Sequence, residues 1–160
     1  DAPQSDDMTI MAVRYHLDNP EKNKRTLVIK NQIPELSKVE TFIETCGEEF
    51  NLSPKMVMNL NLALEEAVSN VILYAYPKGE NEHTIQIDLT VNDNLATIVI
   101  TDTGVAFDPT TKENADITLS AEDRKIGGLG IFMVKKIMDD VKYSRENGSN
   151  ILKMSVNINK

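Results

Sequence analysis

Between Ser53-Pro54 and Pro77-Lys78-Gly79 runs a stretch that punctuation and spacing both define as one long helix. Ser53 can cap the free amides of a first turn, Pro54 at the first helical position gives up no hydrogen bond, and Pro77 disfavours helix at the residue before it. Leu62, Ala67, Val68, Val71 and Ile72 make the segment apolar around much of its circumference, so a helix ending near Tyr76 must be buried against other elements. Yet Asn59, Ala63, Glu66 and Asn70 recur at three- and four-residue steps and share one face. A carboxylate among such neighbours is costly to bury without a partner. The stripe therefore faces either solvent at the helix edge or a polar cleft, where a carboxylate and an amide could polarise a hydroxyl and offer an oxygen to Mg²⁺.

The elements around this helix set the fold class. Thr26 to Ile33 alternates as a strand, and Pro34 to Phe50 carries Leu36, Val39, Phe42, Ile43 and Cys46 at helical spacing, with Gly47 weakening its last turn. Thr84–Val91 and Leu95–Asp102 read as strands of a hairpin around Asn92-Asp93-Asn94. Residues 103–126 show no sustained period, and a connection of that length inside a compact domain is often a lid. Helical spacing returns from Gly127 to Asp140, and strands at Val141–Arg145 and Ile151–Ile158 flank Asn147-Gly148. The order predicts an α+β two-layer sandwich: a mainly antiparallel mixed sheet with about three helices on one face and a mobile lid. Upstream, Met8–Leu17 alternates loosely, residues 18–24 read as a linker, and the main domain is expected from Arg25 to Lys160.

Composition narrows the function classes. Seventeen Lys and Arg against 25 Asp and Glu give a net charge of −8, which disfavours binding to a phosphate backbone. No apolar run approaches the roughly 20 residues of a membrane span, so no membrane contact is expected. The one cysteine, Cys46, can make neither an internal disulfide nor a cysteine-rich zinc site, which fits a reducing cytoplasm.

Two further features join the polar stripe. At the end of an apolar strand stands Asp102-Thr103-Gly104-Val105-Ala106-Phe107. This is a turn signal on its own, and equally a carboxylate able to accept from an exocyclic amine, with Gly104 letting the backbone pass close to a ring. Three of the seven glycines fall in Ile126-Gly127-Gly128-Leu129-Gly130-Ile131, at the start of the third helix. That is either a hinge or a set of backbone amides at the positive end of a helix dipole, suited to phosphate. It is neither a P-loop, lacking Gly-Lys-Ser/Thr, nor a Rossmann turn, lacking a βαβ unit.

Taken in order over about 65 residues, these features resemble the GHKL ATP-binding family (Bergerat fold), and within it the RsbW/SpoIIAB anti-sigma factor serine kinases. Glu66-Ala67-Val68-Ser69-Asn70 is similar to that group's N box. The resemblance implies a catalytic base at Glu66, a Mg²⁺ ligand at Asn70 and an adenine acceptor at Asp102, with Gly104, Ala106 and Phe107 beside the base. It further implies triphosphate contacts from Gly127, Gly128, Leu129, Gly130 and Ile131. It departs from the family pattern at Ala106, where a second Gly is common, at Tyr74, where a His is common, and at Asn150, where a Thr is frequent. The implied activity is ATP- and Mg²⁺-dependent phosphorylation of a STAS-domain anti-anti-sigma protein, with sequestration of a sigma factor. Relatives commonly form homodimers, and the sequence leaves that open.

Gln4-Ser5-Asp6-Asp7-Met8-Thr9-Ile10, followed by Val13-Arg14-Tyr15, resembles the closing segment of SpoIIE/RsbU-type serine phosphatases. That resemblance makes residues 1–17 the remnant of a preceding phosphatase domain. It leaves two functional readings: a serine kinase, or a non-catalytic nucleotide-binding module regulating the fused phosphatase. A histidine kinase catalytic domain fits less well, because a strand and a helix precede the N box and His16 and His83 read as ordinary surface or strand residues.

Overall fold

The computed structural model describes residues 23–80, 82–111 and 129–159. Among these residues five strands, β1 (Lys24–Lys30), β2 (Thr84–Asn92), β3 (Leu95–Asp102), β4 (Asp140–Glu146) and β5 (Ser149–Asn157), form one sheet in the order β1-β2-β3-β5-β4. Among the described residues every pairing is antiparallel, in place of the mixed sheet expected. Three α-helices of the described residues, α1 (Leu36–Glu49), α2 (Pro54–Tyr74) and α3 (Leu129–Ile137), complete the α+β sandwich. Period-2 alternation decides which residues meet the helices: Ile85, Ile87 and Leu89 of β2, Ala96, Ile98 and Ile100 of β3, and Leu152, Met154 and Val156 of β5 are all buried. Each large aliphatic side chain removed from water in this way contributes about 1.5–3 kcal/mol.

Helix α2 is the second wall of that core. Met56, Leu60, Ala63, Leu64, Ala67, Val68 and Ile72 are buried along it. The expected start is observed, because Ser53 Oγ accepts from Met56 N at 3.2 Å. The helix ends at Tyr74, two residues earlier than expected, and Ala75 N closes the last turn on Val71 O. At the other end of the domain β1 begins at Lys24, which pairs with Thr90. The strand thus takes in the last residue assigned to the linker and stops at Lys30, short of Ile33. A 3-10 turn at Ile33–Glu35 then leads into α1.

Gly47 has a packing role besides its place near the end of α1. A Cβ there would run into Val57 Cγ2, so its absence lets α1 and α2 approach closely. The hairpin turns follow the sequence: Asp93 lies at φ 50°, and Asn147-Gly148 at 49° and 84° is the pairing that two-residue hairpins favour. Cys46 is 1 % exposed, and burial pushes its thiol up to about 11. It is therefore expected to resist a thiol-labelling reagent at pH 8 in the folded protein and to react fully in denaturant. Rapid labelling of the native protein would contradict this packing.

No helix among the described residues is long and apolar enough to cross a membrane. The remnant assigned to residues 1–17 lies outside the described residues, as do most of the linker and residues 112–128 of the expected lid and glycine cluster.

Candidate functional site

The C-terminal end of α2, the end of β3 and the β4–β5 hairpin converge on one cleft. Asn70 and Val71 of α2, Ile100 and Asp102 of β3, and Ile131 of α3 line it, and Phe107 and Pro109 close it from the segment after β3. Its walls are mostly apolar around a few polar groups, the usual make-up of a small-molecule site.

The polar group at the base of the cleft is Asp102, 4 % exposed. Its Oδ1 accepts from Gly104 N at 2.8 Å and from Asn150 Nδ2 at 2.9 Å. Its Oδ2 takes no hydrogen bond among the described residues. A buried carboxylate is retained at such a cost only with donors around it, and here one oxygen is held while the other is left to accept.

The turn after Asp102 is anchored on the end of α2. Val105 N donates to Ala75 O at 2.8 Å, satisfying a carbonyl that the end of a helix otherwise leaves unpaired. Thr103 N donates to Tyr76 Oη at 3.2 Å. A Cβ on Gly104 would overlap the backbone and side chain of Ala75. Gly104 is thus required by contact with the protein's own helix, a reason the sequence did not supply. Ala106 is exposed and is not part of the cleft lining, whereas Phe107 is.

On α2, Asn70 Nδ2 donates to Glu66 O at 2.7 Å. Because that carbonyl only accepts, the amide is fixed with Oδ1 pointing away from the helix backbone. Glu66 sits one turn earlier, half-buried, and is not itself in the cleft lining. Its carboxylate makes no hydrogen bond among the described residues and lies against the start of α3, where a Cβ on Gly130 would collide with it. Ile131 is buried. Leu129 opens α3, while Gly127 and Gly128 lie outside the described residues.

Sequence reasoning therefore brought together Asn70, Asp102, Phe107 and Ile131, with Glu66 and Gly130 paired beside them. It missed Tyr143 and Arg145 and treated Asn150 only as a departure. Tyr143 Oη and Arg145 Nη1 both donate to Asn150 Oδ1, at 2.8 and 2.6 Å, and Arg145 Nη1 also reaches Gly104 O at 3.0 Å. The available signal was the Asn147-Gly148 turn, which sets Arg145 opposite Asn150. What it could not show is that β5 then pairs with β3, bringing Asn150 opposite Asp102. Tyr74 is exposed, and His83, read as an ordinary surface or strand residue, lies just before β2 and stacks on Tyr76 with ring centroids 4.4 Å apart.

An antiparallel sheet backed by three helices, with a strand-end carboxylate at the base of an apolar cleft, is the architecture of a GHKL ATP-binding domain. The chain belongs to the histidine kinase-like ATPase domain family, whose sequence pattern matches residues 29–156. Among curated proteins it is similar to the serine-protein kinase RsbW of Listeria monocytogenes, with 30% identity over 104 residues, 62% of this chain and 66% of the relative. It is also similar to RsbW of Staphylococcus aureus, with 32% identity over 99 residues, 59% of this chain and 62% of the relative. The chain thus spans just under two thirds of the length of these relatives. Among solved structures, the RsbU and RsbW domains of Rv1364c from Mycobacterium tuberculosis share its fold, with a TM-score of 0.59 at 12% identity over 84% of this chain and 32% of that one.

Proposed function

We propose that this chain is an ATP- and Mg²⁺-dependent protein serine kinase of the anti-sigma factor type, acting on a STAS-domain anti-anti-sigma protein and holding a sigma factor in a cytoplasmic partner switch. The observation that carries this reading is Asp102: a buried carboxylate with one oxygen tied down and one left to accept, at the base of an apolar cleft flanked by Asn70 and Glu66. The names of its relatives support the choice of serine as acceptor. The shared fold with a chain that holds RsbU and RsbW domains together supports fusion to a phosphatase.

The residues present fit ATP and Mg²⁺. Asp102 Oδ2 can accept the exocyclic amine of adenine, and Ile100, Phe107 and Ile131 can cover the ring faces. Among the described residues no cluster of three or more His, Cys, Asp or Glu could hold a metal alone. Asn70 Oδ1 is suited to an ion that arrives with the nucleotide, since Mg²⁺ commonly uses few protein oxygens and takes the rest from phosphate and water. The bound pair supplies the phosphoryl group and neutralises charge on it. Glu66, free of protein donors among the described residues, takes the proton of the attacking seryl hydroxyl. The amides at the start of α3 hold negative charge beside it.

The reading is tested by incubating the protein with γ-labelled ATP, Mg²⁺ and candidate STAS-domain proteins. Transfer to a serine of one of them supports it. Tight ATP binding with no transfer to any of them would favour a non-catalytic regulatory module. A related expectation concerns Gly130→Ala: the new methyl group displaces the flexible Glu66 carboxylate, so transfer falls by about 10²-fold while the melting temperature changes little. Unchanged transfer would show that Glu66 need not occupy its observed position.

A further inference from the structure

Asn150 is 5 % exposed, and its carboxamide uses both ends. Asparagine oxygen and nitrogen are assigned from their surroundings, and here the surroundings permit one orientation. Arg145 can only donate, so the atom 2.6 Å from its Nη1 must be Oδ1. Val105 O can only accept, so the atom 3.0 Å from it must be Nδ2. Tyr143 Oη, at 2.8 Å, adds a second hydrogen bond on the Oδ1 side. With the amide locked this way, Nδ2 is turned toward Asp102 Oδ1 at 2.9 Å. A flipped amide would set its oxygen against both the carboxylate and a carbonyl, and would face Arg145 with N–H groups.

We propose that Asn150 is a positioning residue that sets the nucleobase selectivity of the cleft, making Asp102 read a 6-amino purine and reject a 6-oxo purine. The proposal rests on the reading that Asp102 receives the base. Two donors, Gly104 N and Asn150 Nδ2, hold Oδ1 and keep the carboxylate from turning about its Cβ–Cγ bond. Oδ2 is then a fixed acceptor. A 6-amino group gives it a proton, whereas a 6-oxo group sets lone pairs against it. Asn150 Nδ2 also ties Val105 O, so the same amide steadies the turn that follows Asp102. Without Asn150, the carboxylate can rotate and water can enter beside it. A water molecule donates to carboxylate and 6-oxo group alike, so the distinction between the two bases shrinks.

The test measures dissociation constants for ATP and for GTP by calorimetry, with Mg²⁺, for the wild type, Asn150→Ala and Tyr143→Phe. The wild type is expected to prefer ATP strongly. Asn150→Ala should shrink the ATP-to-GTP preference by at least about tenfold, through weaker ATP binding with GTP little changed. Tyr143→Phe, which keeps the ring and Asn150 but removes one hydrogen bond to Oδ1, should move the ratio in the same direction by less. An unchanged ratio, or equal weakening of both nucleotides, would overturn the proposal while leaving the role of Asp102 intact. A wild type that binds neither nucleotide would overturn both. If Asn150→Ala does not fold, Tyr143→Phe decides: a preserved ratio in that variant counts against the proposal.

Discussion

Glu66→Gln should slow phosphoryl transfer to a STAS-domain serine by about 10²–10⁴-fold, the usual contribution of a positioned general base. ATP affinity should change little. The two effects separate because Glu66 lies outside the lining of the apolar cleft, one turn of α2 before Asn70. The amide of glutamine matches the carboxylate in shape, so contact with the start of α3 is kept and only the ability to take a proton is lost. Single-turnover transfer and equilibrium ATP binding, measured on the same preparation, check this. Full transfer by the variant would assign proton removal elsewhere, and a matching loss of ATP affinity would make Glu66 a binding residue.

Asp102→Asn should lower ATP affinity by about 100-fold or more, because a buried site that loses its hydrogen-bond match discriminates strongly. The substitution is mild for the fold. Asn Oδ1 can keep both donors, Gly104 N and Asn150 Nδ2, so the turn on Ala75 O survives. What changes is the other oxygen, Oδ2, which has no partner among the described residues and becomes an N–H donor. The exocyclic amine of adenine then meets a donor, while a 6-oxo purine gains a partner, and GTP affinity should rise. Calorimetric titration with each nucleotide, alongside a thermal melt, separates altered recognition from lost structure. Undiminished ATP binding by a folded variant would place the base elsewhere.

The candidate site was only partly legible in the sequence. Glu66 and Asn70 could be paired because a helix fixes its own spacing, and Ser53 and Pro77 mark where that helix begins and ends. Asp102 could be placed at a strand end because β2 and β3 form a hairpin with a short turn. Tyr143, Arg145 and Asn150 could not be connected to Asp102 because β3 and β5 are about 50 residues apart in the chain, and no local rule gives their register. Gly104 and Gly47 illustrate the same limit. Both were noticed, but the reasons for them are the Ala75 backbone and the Val57 side chain, which tertiary packing alone brings near. Among the described residues the sheet is antiparallel throughout, because each neighbouring pair, including β3 with β5, runs in opposite directions.

The position of β5 between β3 and β4 bears on how the protein is made. Synthesis delivers the β2–β3 hairpin before the strand that completes the base of the cleft, and such non-local pairing is slow to form. Until β5 is available, Asp102 lacks the Asn150 donor, and β3 and β4 each lack the strand that pairs with both of them. A growing chain can therefore assemble α1, α2 and the first hairpin before the Asn150–Asp102 hydrogen bond is able to form. On the proposed reading of Asp102, recognition of the base is then acquired as a late step of folding, together with the pairing of β5 with β3.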